Sequence, residues 1–397
     1  MLDLALLAFI AMFLALGIKR PFIWVLAYIY VDAVAPQKIG WSLIHVLPLS
    51  LITFVAAFGG WLFLDGKQGT RFTLRQAIIG VLLVYCACST GVADFPVEAL
   101  AKWDWVWKAL LFAMFLPLTL RTKLRFEAIA LIMVLSLGTI VINGGIKTVL
   151  GGGGYGTLAL LVRENAGLYE GSILSTAAIS TIPLVLWLAR HGTIFKPDWR
   201  VRTFAAGLIF ASLLIPVGEA ARTGLMCAGF LAVLMLRSAK HRFLYAGLGA
   251  LALALSVPFL PQSFLTRMGT IAGHSEDESA STRVAVWMWT LDYVKDHPFG
   301  GGFDAYRSNS FTYPMKKVTG PPGNEQVTME MVTDKARAYH SSYFEMLGEQ
   351  GWPGLALWLW LQLLGVWQME RIRWRFKRTE QGIDSWQWGL ATALQQA

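Results

Sequence analysis

About eleven predominantly apolar runs follow one another along this chain, many close to the roughly twenty residues that a helix needs to cross a bilayer core about 30 Å thick. They fall at residues 2–17, 21–35, 44–64, 75–92, 100–119, 124–143, 170–189, 203–218, 223–237, 243–260 and 340–368. A twelfth run begins at Ser385 and continues to Ala397. This succession predicts an all-α fold, a polytopic transmembrane helical bundle of about 11–12 spans. Composition agrees: 55% of the residues are hydrophobic and 15% charged, where a soluble domain carries about a quarter charged residues. The opening Met1-Leu-Asp-Leu-Ala has no basic region of the kind that precedes a cleavable leader, so the first run reads as a retained span.

The basic residues set the direction of the spans. Alternate junctions hold Lys19 and Arg20; Lys67, Arg71 and Arg75; Arg121, Lys123 and Arg125; Arg190, Lys196, Arg200 and Arg202; Arg237, Lys240 and Arg242; and Arg371, Arg373, Arg375, Lys377 and Arg378. By the positive-inside rule these face the cytoplasm. The opposite junctions are poor in basic residues, and two of the segments on that outer side are long. One runs from Asn143 through the glycines 151–154 to Arg163 and Glu170. The other is polar, spans 261–339, and is too long for an ordinary connection. The expected organisation is 1–143, N-terminal transmembrane helices; 144–260, central helices with arginine-bearing outer loops; 261–339, a large outer loop; and 340–397, a C-terminal transmembrane segment with a basic cytoplasmic stretch.

Several function classes are excluded or disfavoured. The formal charge of +9 arises from dispersed topology clusters and not from a basic face, which argues against nucleic acid. Cys86, Cys88 and Cys227 lie in apolar runs, and the first two point in opposing directions on a helix, so they build neither a disulfide framework nor a metal cluster. The acidic run Glu276-Asp277-Glu278 beside His274 lacks ligand spacing, so no metal and no cofactor is expected. Gly151–Gly154 has no following Lys-Ser/Thr and reads as a loop, not a phosphate cradle. His297-Pro-Phe-Gly300-Gly-Gly-Phe303 reads as a packed turn.

Four residues on the outer side are candidates for chemistry. Arg222 stands between two apolar runs, where a guanidinium needs an anionic partner; that partner is either Glu219, three residues earlier, or a bound phosphate. Arg163 and Arg283 lie on the same side, each either a solvated charge or part of a patch converging on one polyanion, with Arg267, Lys335 and Arg337 as weaker members. His340 sits where the long polar segment meets the last apolar run, followed by Tyr343, Phe344 and Leu347 at helical spacing and directed inward. A helix N-terminus there disfavours imidazolium, leaving His340 a neutral proton acceptor; the alternative is a buried hydrogen-bonding histidine.

The order of Arg222, Ser281-Thr-Arg283 with Trp287 and Trp289, His297-Pro-Phe-Gly-Gly-Gly-Phe303, His340-Ser-Ser-Tyr343-Phe344 and Leu347-Gly-Glu349-Gln-Gly351 resembles the O-antigen ligase and polymerase superfamily over roughly residues 200–370. The first half, with Lys19-Arg-Pro-Phe22 and Asp32-Ala-Val-Ala-Pro36-Gln37, is similar to exosortase-associated O-glycosylation ligases. The resemblance implies a bacterial inner-membrane glycosyltransferase acting at the periplasmic face without a metal. It implies a donor glycan on undecaprenyl diphosphate, held among membrane lipid, and an acceptor hydroxyl on lipid A-core or protein. Arg222 and Arg283 match the family's diphosphate-binding arginines and His340 its catalytic histidine; Arg163 is added from topology alone. A glycan polymerase of the same superfamily is the alternative. A lipid-linked glycan transporter fits less well, because its ionisable groups would sit at the bilayer midplane.

Overall fold

A computed structural model describes residues 2–40, 43–151, 167–237, 239–269, 278–319 and 326–397. Its helices are, in chain order, α1 (Leu2–Lys19), α2 (Phe22–Val34), α3 (Pro36–Ile39), α4 (Leu43–Val46), α5 (Leu49–Gly59), α6 (Leu74–Gly91), α7 (Pro96–Thr119) and α8 (Lys123–Gly151). There follow α9 (Gly171–His191), α10 (Trp199–Gly218), α11 (Arg222–Arg237), α12 (Arg242–Ser256), α13 (Gln262–Gly269), α14 (Glu278–Asp296), α15 (Ser342–Lys377) and α16 (Trp386–Gln396). Each apolar run expected to span falls on helical structure. Six helical segments are long and apolar enough to cross a membrane by themselves: Leu2–Lys19, Leu74–Gly91, Lys123–Gly151, Gly171–His191, Trp199–Gly218 and Arg242–Phe259. The protein is an all-α polytopic helical protein.

The segment 261–339, too long for an ordinary connection and expected as a large outer loop with structure of its own, holds α13, α14 and a hairpin of β1 (Ser310–Thr319) and β2 (Gln326–Lys335), paired antiparallel with Ser310 opposite Lys335. Hydropathy averaged over a window misses α14 because its buried stripe is narrow. Thr282, Val286, Thr290 and Val294 recur every fourth residue, and all four are buried.

The chain folds into two compact units, neither of them one continuous stretch. The first comprises residues 1–71, 116–272 and 365–397. Its largest core lies among α8, α9 and α10, with Ile140, Leu174, Ala178 and Ile215 fully buried. Glu127, buried near the start of α8, accepts hydrogen bonds from the Thr193 hydroxyl at 2.6 Å and the Ile194 N–H at 2.6 Å, and so holds the α9–α10 turn. At another junction Asp65 accepts from Arg121 at 2.6 Å and Arg125 at 2.7 Å. Burial pushes the Asp65 carboxyl up, but the hydrogen bond and charge of Arg125, with the charge of Arg121, outweigh it and hold the group below its ordinary value.

The second unit comprises residues 72–115 and 273–364. Leu82, Cys86, Ala93, Ala99 and Phe303 form a small core. Its most constrained feature is the meeting of the glycine loop with the first turns of α15. That helix bends at Gly351, whose φ is 62°, a conformation that strains any side-chain-bearing residue. The bend frees carbonyls at the end of Ser342–Gln350, and the loop satisfies them: Gly301 N–H donates to Gly348 O at 3.0 Å and Gly302 N–H to Glu349 O at 2.9 Å. Trp352 N–H returns to Pro298 O at 3.0 Å. A Cβ on Gly300 would lie 2.4 Å from the Glu349 carbonyl oxygen, so this backbone-to-backbone approach requires glycine.

Candidate functional site

His340 lies two residues before α15, exposed, with φ of 49°. A non-glycine residue in the left-handed region costs on the order of 1 kcal/mol and persists only where its surroundings enforce it. Ala336, at φ 56°, is a second such residue four positions earlier. The stripe expected after His340 is only partly inward: Leu347 is buried and Phe344 half-buried, whereas Tyr343 is exposed. Tyr343 packs edge-on against Trp358 on the other side of the Gly351 bend, with ring centroids 5.3 Å apart.

Four backbone hydrogen bonds hold residues 336–340. Asn309, buried, accepts from Ala336 N–H through its carbonyl at 3.1 Å. Its side-chain amide takes both polar groups of Arg337, accepting from the N–H at 2.9 Å and donating to the carbonyl at 2.8 Å. Trp287 on α14 donates its indole N–H to the Tyr339 carbonyl at 2.9 Å. Its ring also stacks on Phe344, centroids 5.1 Å apart and planes within 3°. Arg283, exposed, is one helical turn before Trp287. The structure therefore places His340 and Arg283 on elements joined by one side chain.

Beneath this segment lies an ion cluster that reading the sequence for isolated charges does not reveal. Lys102 on α7 donates to Glu345 at 2.5 Å and to the two Glu349 oxygens at 2.8 and 3.0 Å, and lies 3.9 Å from Asp304. Glu349, almost wholly buried, also accepts the Asp304 N–H at 2.9 Å. Arg307 lies 3.5 Å from Asp304 and 3.6 Å from Glu98. The Tyr339 ring is packed over Gly348, and its hydroxyl has no hydrogen-bond partner among the described residues. Burial, reinforced by the Glu349 carboxylate, raises its pKa far above the ordinary value, so the phenol stays protonated. The signal for this cluster in the sequence is slight: Lys102 is one of three charged residues, with Asp104 and Lys108, in the apolar run 100–119, and Glu349 lies in the glycine-flanked motif.

Arg222 belongs to the first unit. It is half-buried and opens α11, directly after a turn in which buried Ala220 has φ 47° and Ala221 N–H donates to Pro216 O at 2.9 Å. This turn interrupts the helix between Glu219 and Arg222, so they do not share a continuous helical face. Glu219 is directed to the start of α9, where a Cβ on Gly171 would lie 2.6 Å from its carboxylate. There burial, and then the neighbouring Glu170 carboxylate, push the Glu219 carboxyl up to about 7. Arg163 lies outside the described residues, as do His274, Glu276 and Asp277. Among the described residues, no group of three or more His, Cys, Asp or Glu side chains is placed to hold a metal ion.

A helical membrane protein with a strained histidine and an arginine-bearing helix braced together is the class that these observations define. Comparison with known families makes it more specific. Residues 204–359 match the family model described as O-Antigen ligase, and residues 1–193 match a family of unknown function, DUF5935. The chain thus carries an O-antigen ligase domain, which supports its place in the O-antigen ligase superfamily and a membrane glycosyltransferase-like activity of the ligase or polymerase type, with lipid-linked glycan donors and acceptors in general. No curated protein and no solved structure matches the chain.

Proposed function

We propose that this protein is a glycan ligase that moves an oligo- or polysaccharide from undecaprenyl diphosphate to an acceptor hydroxyl at the periplasmic face of the inner membrane. The observation that carries the reading is His340: exposed, held in a left-handed conformation at a loop-to-helix junction, and lying inside the O-antigen ligase domain. In this reading the imidazole takes the proton of the acceptor hydroxyl as its oxygen attacks the anomeric carbon. The bond from that carbon to the diphosphate breaks, its electron pair leaves on the phosphate oxygen, and one displacement inverts the anomeric configuration. Arg222, Arg283 and Arg163 hold the diphosphate and stabilise the charge it gains, as fixed guanidinium groups do best in a poorly solvated site. No step requires a metal. The acceptor hydroxyl belongs to lipid A-core or to a protein.

The test is purified protein with an undecaprenyl-diphosphate glycan and each acceptor separately. His340→Ala is expected to lower the transfer rate by roughly 10²–10⁴-fold with donor binding nearly intact, the usual contribution of a general base. A variant that keeps its rate but loses donor affinity would make His340 a diphosphate ligand instead.

A further inference from the structure

We infer that Trp287 and Asn309 are positioning residues for His340: together they fix the strained segment 336–340 and tie it to the helix that bears Arg283. The inference rests on the base role given to His340 above and extends it to groups that touch no substrate.

The argument begins where the hairpin ends. Ladder pairing stops at Ser310 and Lys335, so the backbone groups that follow need other partners, and buried ones left without them would be costly. Asn309 meets that need at Ala336 and Arg337 with three bonds. It is 1% exposed, so water cannot replace its amide. Trp287 meets the need at Tyr339 and grips the chain on the other side of His340 through Phe344. Buried Tyr339 anchors its side chain beneath the same point. His340 is thus held on both flanks while its own side chain remains exposed.

These contacts suit placement better than bulk packing. Each of the two residues uses a directional amide or indole group on the main chain within four residues of His340. Two non-glycine residues in this short stretch have positive φ, and a segment without such restraints would relax out of that conformation. Since Arg283 and Trp287 are one turn apart on α14, relaxation would also change the distance from the imidazole to the Arg283 guanidinium. A base displaced by about 1 Å can lose on the order of 10²-fold in rate.

Two variants separate this role from general stability. Trp287→Phe retains an aromatic ring against Phe344 but loses the N–H to Tyr339. Asn309→Asp retains the size and the acceptor for Arg337 N–H but sets a second acceptor against the Arg337 carbonyl. Both are expected to lower kcat by roughly 10–100-fold while the donor KM changes by less than about threefold. The pH midpoint of the rate is expected to move. With ring-labelled histidine, the His340 signals in NMR should shift or broaden in both variants while the His45 and His191 signals stay in place. Unchanged His340 signals and an unchanged kcat in both variants, with His340→Ala inactive, overturn the positioning role. Wild-type transfer by His340→Ala overturns the base assignment instead, and the NMR comparison then still decides whether Trp287 and Asn309 position the ring. A general loss of folded protein in both, with every histidine signal disturbed, also counts against the inference, since it is what packing alone would give.

Discussion

Replacing Lys102 by methionine is the most informative test of the ion cluster under the site. Methionine retains much of the stem of Lys102 but removes its charge, leaving Glu349 with a side chain 3% exposed and, among the described residues, only the Asp304 N–H as hydrogen-bond partner. Removing one member of a buried pair costs about 3–5 kcal/mol. Lys102 retains 17% side-chain exposure, so the lower end, about 3 kcal/mol, is expected. Glu345 is 43% exposed, and its arm of the cluster contributes no more than about 1 kcal/mol. Glu349→Gln leaves Lys102 paired with Glu345 and is expected to cost about 1.5 kcal/mol. The Lys102→Met, Glu349→Gln double variant buries no uncompensated charge, so its loss should fall short of the sum of the singles by about 2 kcal/mol. Unfolding of all four proteins in mixed micelles, titrated with denaturing detergent, measures the cycle. Additivity within about 0.5 kcal/mol would refute the argument, because it would mean that Lys102 and Glu349 do not depend on each other.

Arg222→Lys and Arg283→Lys are each expected to lose most transfer activity while staying folded, since a point charge does not reproduce the two parallel hydrogen bonds of a guanidinium to phosphate; wild-type turnover in a variant would make that residue a solvated or structural charge. Glu219, at about 7 when folded against 4.5 ordinarily, binds more protons in the folded than in the unfolded state between those pH values. Its contribution to stability therefore falls as pH rises from about 4.5 to about 7 and levels off above that. Glu219→Gln should remove this slope, making the variant comparatively more stable at pH 8 than at pH 5; parallel pH–stability curves for the two proteins would contradict the raised value.

How much of the site was legible follows from the kind of information each residue carries. His340 and Arg222 are conspicuous because a titratable or cationic side chain next to an apolar run is unusual, whereas Arg283, inside the polar segment, is singled out only by the resemblance to the family. Trp287 is marked in the sequence only as part of a motif and Asn309 by nothing, because nothing local distinguishes an indole or amide that hydrogen-bonds the main chain from one facing solvent. The spacing of Tyr343, Phe344 and Leu347 predicts one inward stripe, but spacing sets a shared face without showing that a bend at Gly351 brings Trp358 back against Tyr343.

By itself the sequence determined the helical, membrane-spanning architecture, since the transfer of an apolar run into lipid depends on that run alone. It also marked the turn at His297–Phe303, where Gly300 lies, whereas the bend at Gly351 falls inside a run that reads as one span and is visible only in the structure. Only the tertiary structure decided which polar groups meet. Tyr85 hydrogen-bonds the carbonyl of Gln350 across a sequence separation of 265, and Lys102 reaches Glu349 across 247. Such pairings depend on how separate helices pack, because a hydrogen bond or ion pair acts over a few ångströms in space and carries no trace of sequence distance.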